Sequence, residues 1–237
     1  MIIKSQLLET PIIYKNGKIN VIEIEEVNIF RRLVNSFHQY LKDGESEEKL
    51  LILNKNNQKL DIQQNCLLTL DYYNIDFQSA IITKQILKKL ENEVYLNDGL
   101  QQMIMEINHH LETFSHQLLL SIDLDLLSKK LEIKDYLKLL SFKINSTLYK
   151  SPYEYIILLI KICSDLSLYD LLIFVDLKKF CSISQIEEIY KSALYHGINI
   201  LLIESKLEDK LLEYEQKLVI ESDFTEFFIS NKEEIYK

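Results

Sequence analysis

The spacing of apolar residues changes several times along this chain, and each change marks a part. Near the start, "PIIYK" and "KINVIEI" are short strand-like runs separated by Asn16-Gly17, a pair that predicts a two-residue hairpin. From about residue 25 the spacing lengthens: Ile29, Leu33 and Phe37 fall on one side of a helix that stops at Gly44. "KLLIL" and "CLLTL" return to strand-like runs. Helical spacing then holds from Ser79 to about Tyr95, from Leu100 to about Leu119 and from about Ser128 to Leu140, with "NDG" at 97–99 breaking the first two. After 150 the runs shorten again. "SPYE" at 151–154 and "SQIE" at 184–187 have the composition of capping boxes that start helices. Two continuous apolar runs, "LLIFVD" and "INILLIES", read as strands buried on both faces, joined by a crossover helix that ends at Gly197. The prediction is an α/β domain made from both ends of the chain, 1–75 and 151–237, with an all-helical arm, 76–150, inserted between them.

Composition fits this reading. The chain has 237 residues, 47% hydrophobic and 27% charged, which is enough for a sizeable core. The apolar run from Tyr155 to Ile160 is cut by Lys161, far short of a membrane span, and "MIIKSQLLETPIIYK" lacks the basic-then-apolar pattern of a signal segment. Cys66, Cys163 and Cys181 lie far apart in apolar surroundings, as expected of reduced core thiols in a cytoplasmic protein. Net charge is −9, which excludes a surface coated by nucleic acid on all sides. The charge is uneven, however. From Leu127 to Lys150 six lysines face two acids, Glu132 and Asp135. Lys130, Lys134 and Lys138 recur every four residues, so a single helix face would carry all three as a stripe for phosphates. Arg31 and Arg32, with Lys178 and Lys179, are further candidate phosphate contacts. Three histidines in "HHLETFSH" lack the spacing of a compact zinc motif and read as a solvated helix face.

The strand that runs into Asp176 raises a sharper question, since nucleotide hydrolases place an acid there beside a metal-bound phosphate. Such a site also needs a glycine-rich loop whose backbone N–H groups cradle the phosphates, followed by Lys and a hydroxyl. The strand-to-helix junction in the corresponding place, "NVIEIEEVNIF" at 20–30, has no glycine and carries three glutamates that would repel polyphosphate. Asp176 is therefore expected to be structural, and hydrolysis is not expected.

"LLIFVDLKKFCSISQIEEIYKSALYHGINILLIES", taken with "LLETPIIYKNGKINVIEIEEVNIF" and "LLSIDLDLL", resembles the Csn-two family, the CRISPR-associated spacer-acquisition proteins of type II-A systems, over about residues 7 to 230. The resemblance implies an α/β, degenerate P-loop-ATPase-like head domain with an inserted all-helical leg domain. It further implies a cytoplasmic homotetrameric ring whose lysine-rich hole holds double-stranded DNA, preferring linear ends. Calcium would bind near the hinge, where Asp123 and Asp125 occupy the family's acidic segment and Glu132 and Asp135 would contribute further oxygens. The implied function is non-catalytic support of spacer acquisition for antiviral defense, alongside the CRISPR integrase complex and the type II effector nuclease. Two rivals stand beside it: a degenerate ATPase-like scaffold that binds protein rather than DNA, and a metal-dependent nuclease using Asp123, Asp125 and Asp176.

Overall fold

A computed structural model describes residues 1–122, 127, 129–208 and 210–230. The chain forms two compact units, one from 1–75 and 146–237, the other from 76–145.

In the first unit, Ile2–Ser5 (β1) pairs antiparallel with both Ile12–Ile13 (β2) and Leu50–Leu53 (β4), giving a three-stranded sheet. Ile19–Ile24 (β3) does not join it. The predicted hairpin at Asn16-Gly17 is therefore corrected. Gly17 does take a left-handed turn (φ 73°), but β3 is buried at all six positions and lies inside a second, larger sheet. A strand this rich in apolar residues on both faces, with Asn20 and Glu23 its only polar positions, gains more from a central, doubly covered position than from a two-residue partner.

That larger sheet has six strands in the order β5-β6-β7-β3-β8-β9. They are Cys66–Thr69 (β5), Leu171–Val175 (β6), Asn199–Glu204 (β7), β3, Glu215–Ile220 (β8) and Glu226–Ser230 (β9). All neighbours are parallel except β9, which runs antiparallel along the edge. From β3 the chain goes to the far edge, returns strand by strand to β7, then crosses to β8. The order thus reverses at β3, where open α/β sheets hold ligands beyond the strand ends.

Helices flank this sheet. Val27–Asp43 (α1) follows β3 and stops at Gly44, whose left-handed φ of 80° and N–H bond to the Tyr40 carbonyl close it. A single turn, Ile62–Asn65 (α2), leads into β5. Pro152–Leu166 (α6) starts at Ser151 with Glu154 reaching back, as the "SPYE" signature predicts. Ile183–His196 (α7) starts two residues earlier than expected: Ser182 caps and Gln185 reciprocates, because an S-x-x-Q capping pattern also fits two residues upstream of "SQIE". Cys66, Cys163 and Cys181 are free and buried, and burial pushes their thiols up to about 12, 12 and 11.

Among the described residues the second unit holds three helices, Ala80–Leu96 (α3), Asp98–Leu119 (α4) and Ile133–Leu140 (α5). Asn97 ends α3 and caps α4, its Oδ1 accepting from the Leu100 N–H. The Tyr136 hydroxyl of α5 donates to Asn108 Oδ1, buried on α4, at 2.8 Å.

Candidate functional site

The junction between β3 and α1 holds glutamates where a phosphate loop would need glycines, and each glutamate is engaged within the fold. Glu26 caps α1, its Oε2 accepting from the Ile29 N–H at 2.6 Å. Glu25 Oε2 accepts from the Ser222 N–H. Glu23 is 1% exposed and sits in a cluster of three carboxylates and two ammonium groups, all buried but Glu208. Lys217 Nζ lies 2.7 Å from Glu23 Oε1 and donates to the carbonyls of Glu208 and Lys210 at 3.1 and 3.0 Å. Lys178 Nζ lies 3.0 Å from Glu215, 3.3 Å from Glu23 and 3.4 Å from Glu208. The Tyr190 hydroxyl of α7 donates to Glu215 at 2.8 Å. Burial works against the Lys178 ammonium, but Glu215, Glu23 and Glu208 outweigh it and hold the group above its usual range. Charges taken from water persist only when paired this closely.

Lys178 is thus corrected as a phosphate contact: its side chain is 8% exposed and its charge is spent on three carboxylates. Lys179 reaches solvent but lies 2.8 Å from Asp176 and donates to Ser205 Oγ. Asp176 itself takes a left-handed backbone (φ 54°). Its Oδ1 accepts from both the N–H and the hydroxyl of Ser205 at 2.8 Å, and Oδ2 takes the Lys179 ammonium. Burial raises the Asp176 pKa, yet the Lys179 and Ser205 hydrogen bonds win and hold it below the usual range. The acid at the end of β6 ties two strand ends together. Neighbouring Glu204 goes the other way: burial pushes it up to about 8.

On α1, Arg31 is exposed, while the Arg32 guanidinium is bound to Glu48. In the helical unit the expected three-lysine face is shorter than the sequence suggested. α5 begins only at Ile133, so Lys130 precedes it and lies 3.7 Å from Glu112. Lys134 and Lys138 do share a face of α5.

Glu132 and Asp135 do not fit a calcium site as they stand. Asp135 Oδ2 accepts from the Glu132 N–H at 3.1 Å and Glu132 holds Lys134 at 2.5 Å, so both carboxylates serve the start of α5. Lys134 and the Glu132 N–H, respectively, hold Glu132 and Asp135 below the usual carboxylate range. Asp123 and Asp125 lie outside the described residues. Among the described residues no group of three or more His, Cys, Asp or Glu side chains is placed to hold a metal.

Sequence reasoning missed a stripe on α4. Leu100, Ile104, Ile107, Leu111, Phe114 and Leu118 follow a strict four-three spacing, the seam of a coiled coil. Five of the six are exposed, from 37% at Leu100 to 58% at Phe114. The spacing was legible; that five of its six residues stay exposed among the described residues was not.

These features define an α/β protein with a mixed sheet, seven α-helices among the described residues, and a sheet crest closed by its own ion pairs. The model of the CRISPR-associated protein family Cas_Csn2 matches residues 39–224, and the chain belongs to that family. Among solved structures it is similar to Stu0660 of Streptococcus thermophilus, with a TM-score of 0.60 and 14% identity over 93% of this chain and 75% of that one. At that identity the likeness is one of fold. No curated protein matches the chain. Among the described residues no helix is long and apolar enough to cross a membrane.

Proposed function

We propose that the chain is a non-catalytic, double-stranded-DNA-binding subunit of a homotetrameric ring that supports spacer acquisition in type II-A CRISPR immunity, as a partner of the integrase complex and the effector nuclease in the cytoplasm. The observation that carries the DNA reading is the exposed lysines of the helical unit, Lys134 and Lys138 on one face of α5 with Lys130 ahead of it, in a chain whose net charge is −9. A local basic surface on an acidic protein attracts phosphate at one place and repels it elsewhere. Arg31, exposed on α1, joins the set; Arg32 and Lys179, like Lys130 and Lys134, reach phosphate by exchanging a carboxylate for it. Contacts of this kind hold the backbone without reading bases.

The strand order and the acid-ended β6 support a degenerate P-loop-ATPase-like head. The closed crest supports the absence of hydrolysis. The exposed α4 stripe supports self-assembly, and it also keeps open a second reading, a scaffold whose helical unit binds protein. Calcium, held by Asp123 and Asp125 with Glu132 and Asp135 as further oxygens once they leave the start of α5, belongs to the same proposal.

Linear duplex DNA compared with covalently closed circles of the same sequence, with and without calcium, tests the proposal. Binding of the linear form that is lost when both ends are blocked is the expected result. Equal binding to both forms would leave an open basic surface in place of a ring, and binding to neither would favour the protein scaffold.

A further inference from the structure

The lysines of α5 do not stand alone. Across from Lys134 and Lys138, helix α3 presents Lys84 and Lys88, also one turn apart on one face. The four frame a cavity of about 650 Å³ floored by Leu87 and the buried Leu137. A second hollow of about 390 Å³ shares Leu87, Leu137 and Lys138 with it and adds Lys143. The acids at this place are Glu91, which lines the cavity, with Glu132 and Asp135 at the start of α5. Glu132 is bound to Lys134 and Asp135 to a backbone N–H. Five ammonium groups therefore meet three carboxylates. Among the described residues, Lys84, Lys88, Lys138 and Lys143 make no ion pair.

We infer that the α3–α5 cleft is the seat of one sugar-phosphate strand of the duplex, with Lys84 and Lys88 forming one rail and Lys134 and Lys138 the other. This inference rests on the DNA-binding reading above and adds residues that reading does not contain. A DNA strand alternates anionic phosphates with largely apolar deoxyribose faces, and the cleft offers mobile ammonium donors at its rim over an apolar floor. Within each helix the lysines stand one turn, about 6 Å, apart along the axis. Lysines on phosphate are point charges that touch no base edge, so the seat holds any sequence alike. Two exposed, like-charged rows, with Lys134 alone of the four held by a carboxylate, repel until an anion lies between them, which gives the cleft its preference for a polyanion over a neutral ligand.

The salt dependence of duplex binding by the full-length chain tests this, because each phosphate-bound lysine adds a defined increment. Each contact steepens the slope of log affinity against log salt by about 0.9. Lys84→Gln with Lys88→Gln should lower that slope by about two, and affinity at about 0.1 M salt should drop about tenfold or more. Lys143→Gln alone should lower the slope by about one. A charge-matched control, Lys55→Gln with Lys191→Gln in the other unit, should leave the slope unchanged, and equal melting temperatures would show all variants folded. A wild-type chain that binds with a steep slope, matched by the α3 variant, overturns the seat and leaves the DNA reading standing. The same loss in the control overturns it too, since diffuse charge would then suffice. A wild-type chain that binds no duplex at low salt overturns both.

Discussion

Glu204 shows how one residue sets a pH dependence for the fold. It ends β7 with 2% of its surface exposed. Burial pushes its pKa to about 8, with Asp176 and Glu208 adding to the rise and the Lys178 N–H and ammonium opposing it. In the unfolded chain a glutamate titrates near 4.3. Between those values the folded chain keeps a proton that the unfolded chain has lost, so stability falls as pH rises through that window. The loss amounts to a few kcal/mol, at about 1.4 kcal/mol per pKa unit. Glu204→Gln, which copies the neutral acid, should flatten melting temperature between about pH 5 and 8.5, and should melt above wild type at the upper end. A wild-type profile that rises with pH would refute the assignment. Asp176 lies beside it with the opposite shift. Asp176→Asn keeps a side chain that tolerates the left-handed backbone but weakens the bonds to Ser205 and Lys179. A loss of about 1 to 2 kcal/mol in a urea titration is expected, with DNA affinity equal to or above wild type because Lys179 is released for phosphate. An equal stability with abolished DNA cleavage would instead establish the nuclease. Lys178 was misread at this scale because a lysine after an acid-ended strand looks solvated in sequence. Its partners Glu23 and Glu215 come from β3 and β8, which only the sheet order brings to it.

Elements were legible where one chemistry filled them. β6 is apolar throughout, β7 is apolar between Asn199 and Glu204, and α6 carries a full set of capping residues, so their types and places follow from the chain alone. β8 did not stand out because half of it, Glu215, Gln216 and Lys217, is polar; it is nonetheless buried at every position, the charges matched within the cluster. Removing Lys217 would leave Glu23 buried beside one cation fewer. Lys217→Met should therefore cost about 3 to 5 kcal/mol in denaturant unfolding, far above a typical surface change. The α4 stripe fails differently in sequence, as its spacing fits a core face equally well. Exposed residues cost little to change within one chain, so Ile107→Asp with Phe114→Asp should preserve the far-ultraviolet circular dichroism and the melting of the monomer. If the stripe is a seam between copies, the same variant should fall to a smaller mass in sedimentation. An unchanged mass would move the seam elsewhere.

For the whole molecule, the sequence shows what is missing from the crest of the large sheet but not what fills it. The absence of glycine at 20–30 is visible in the residues, whereas the replacement of phosphate by Glu23, Lys178, Lys217, Glu208 and Glu215 appears only when β3, β7 and β8 lie side by side. A crest without a phosphate loop can still be an open pocket that takes nucleotide weakly; a crest filled by ion pairs cannot accept one without breaking them. Nucleotide addition distinguishes the two. A ligand present at a hundred times its dissociation constant stabilises the folded state by about 2.7 kcal/mol, which moves the melting point of a chain this size by several degrees. Magnesium and ATP at millimolar concentration should therefore leave the melting temperature where it was, in wild type and in Asp176→Asn alike. A rise of several degrees in wild type would mean that the cluster opens, and that nucleotide binding, in place of structural closure, explains why two lysines and three glutamates are gathered there.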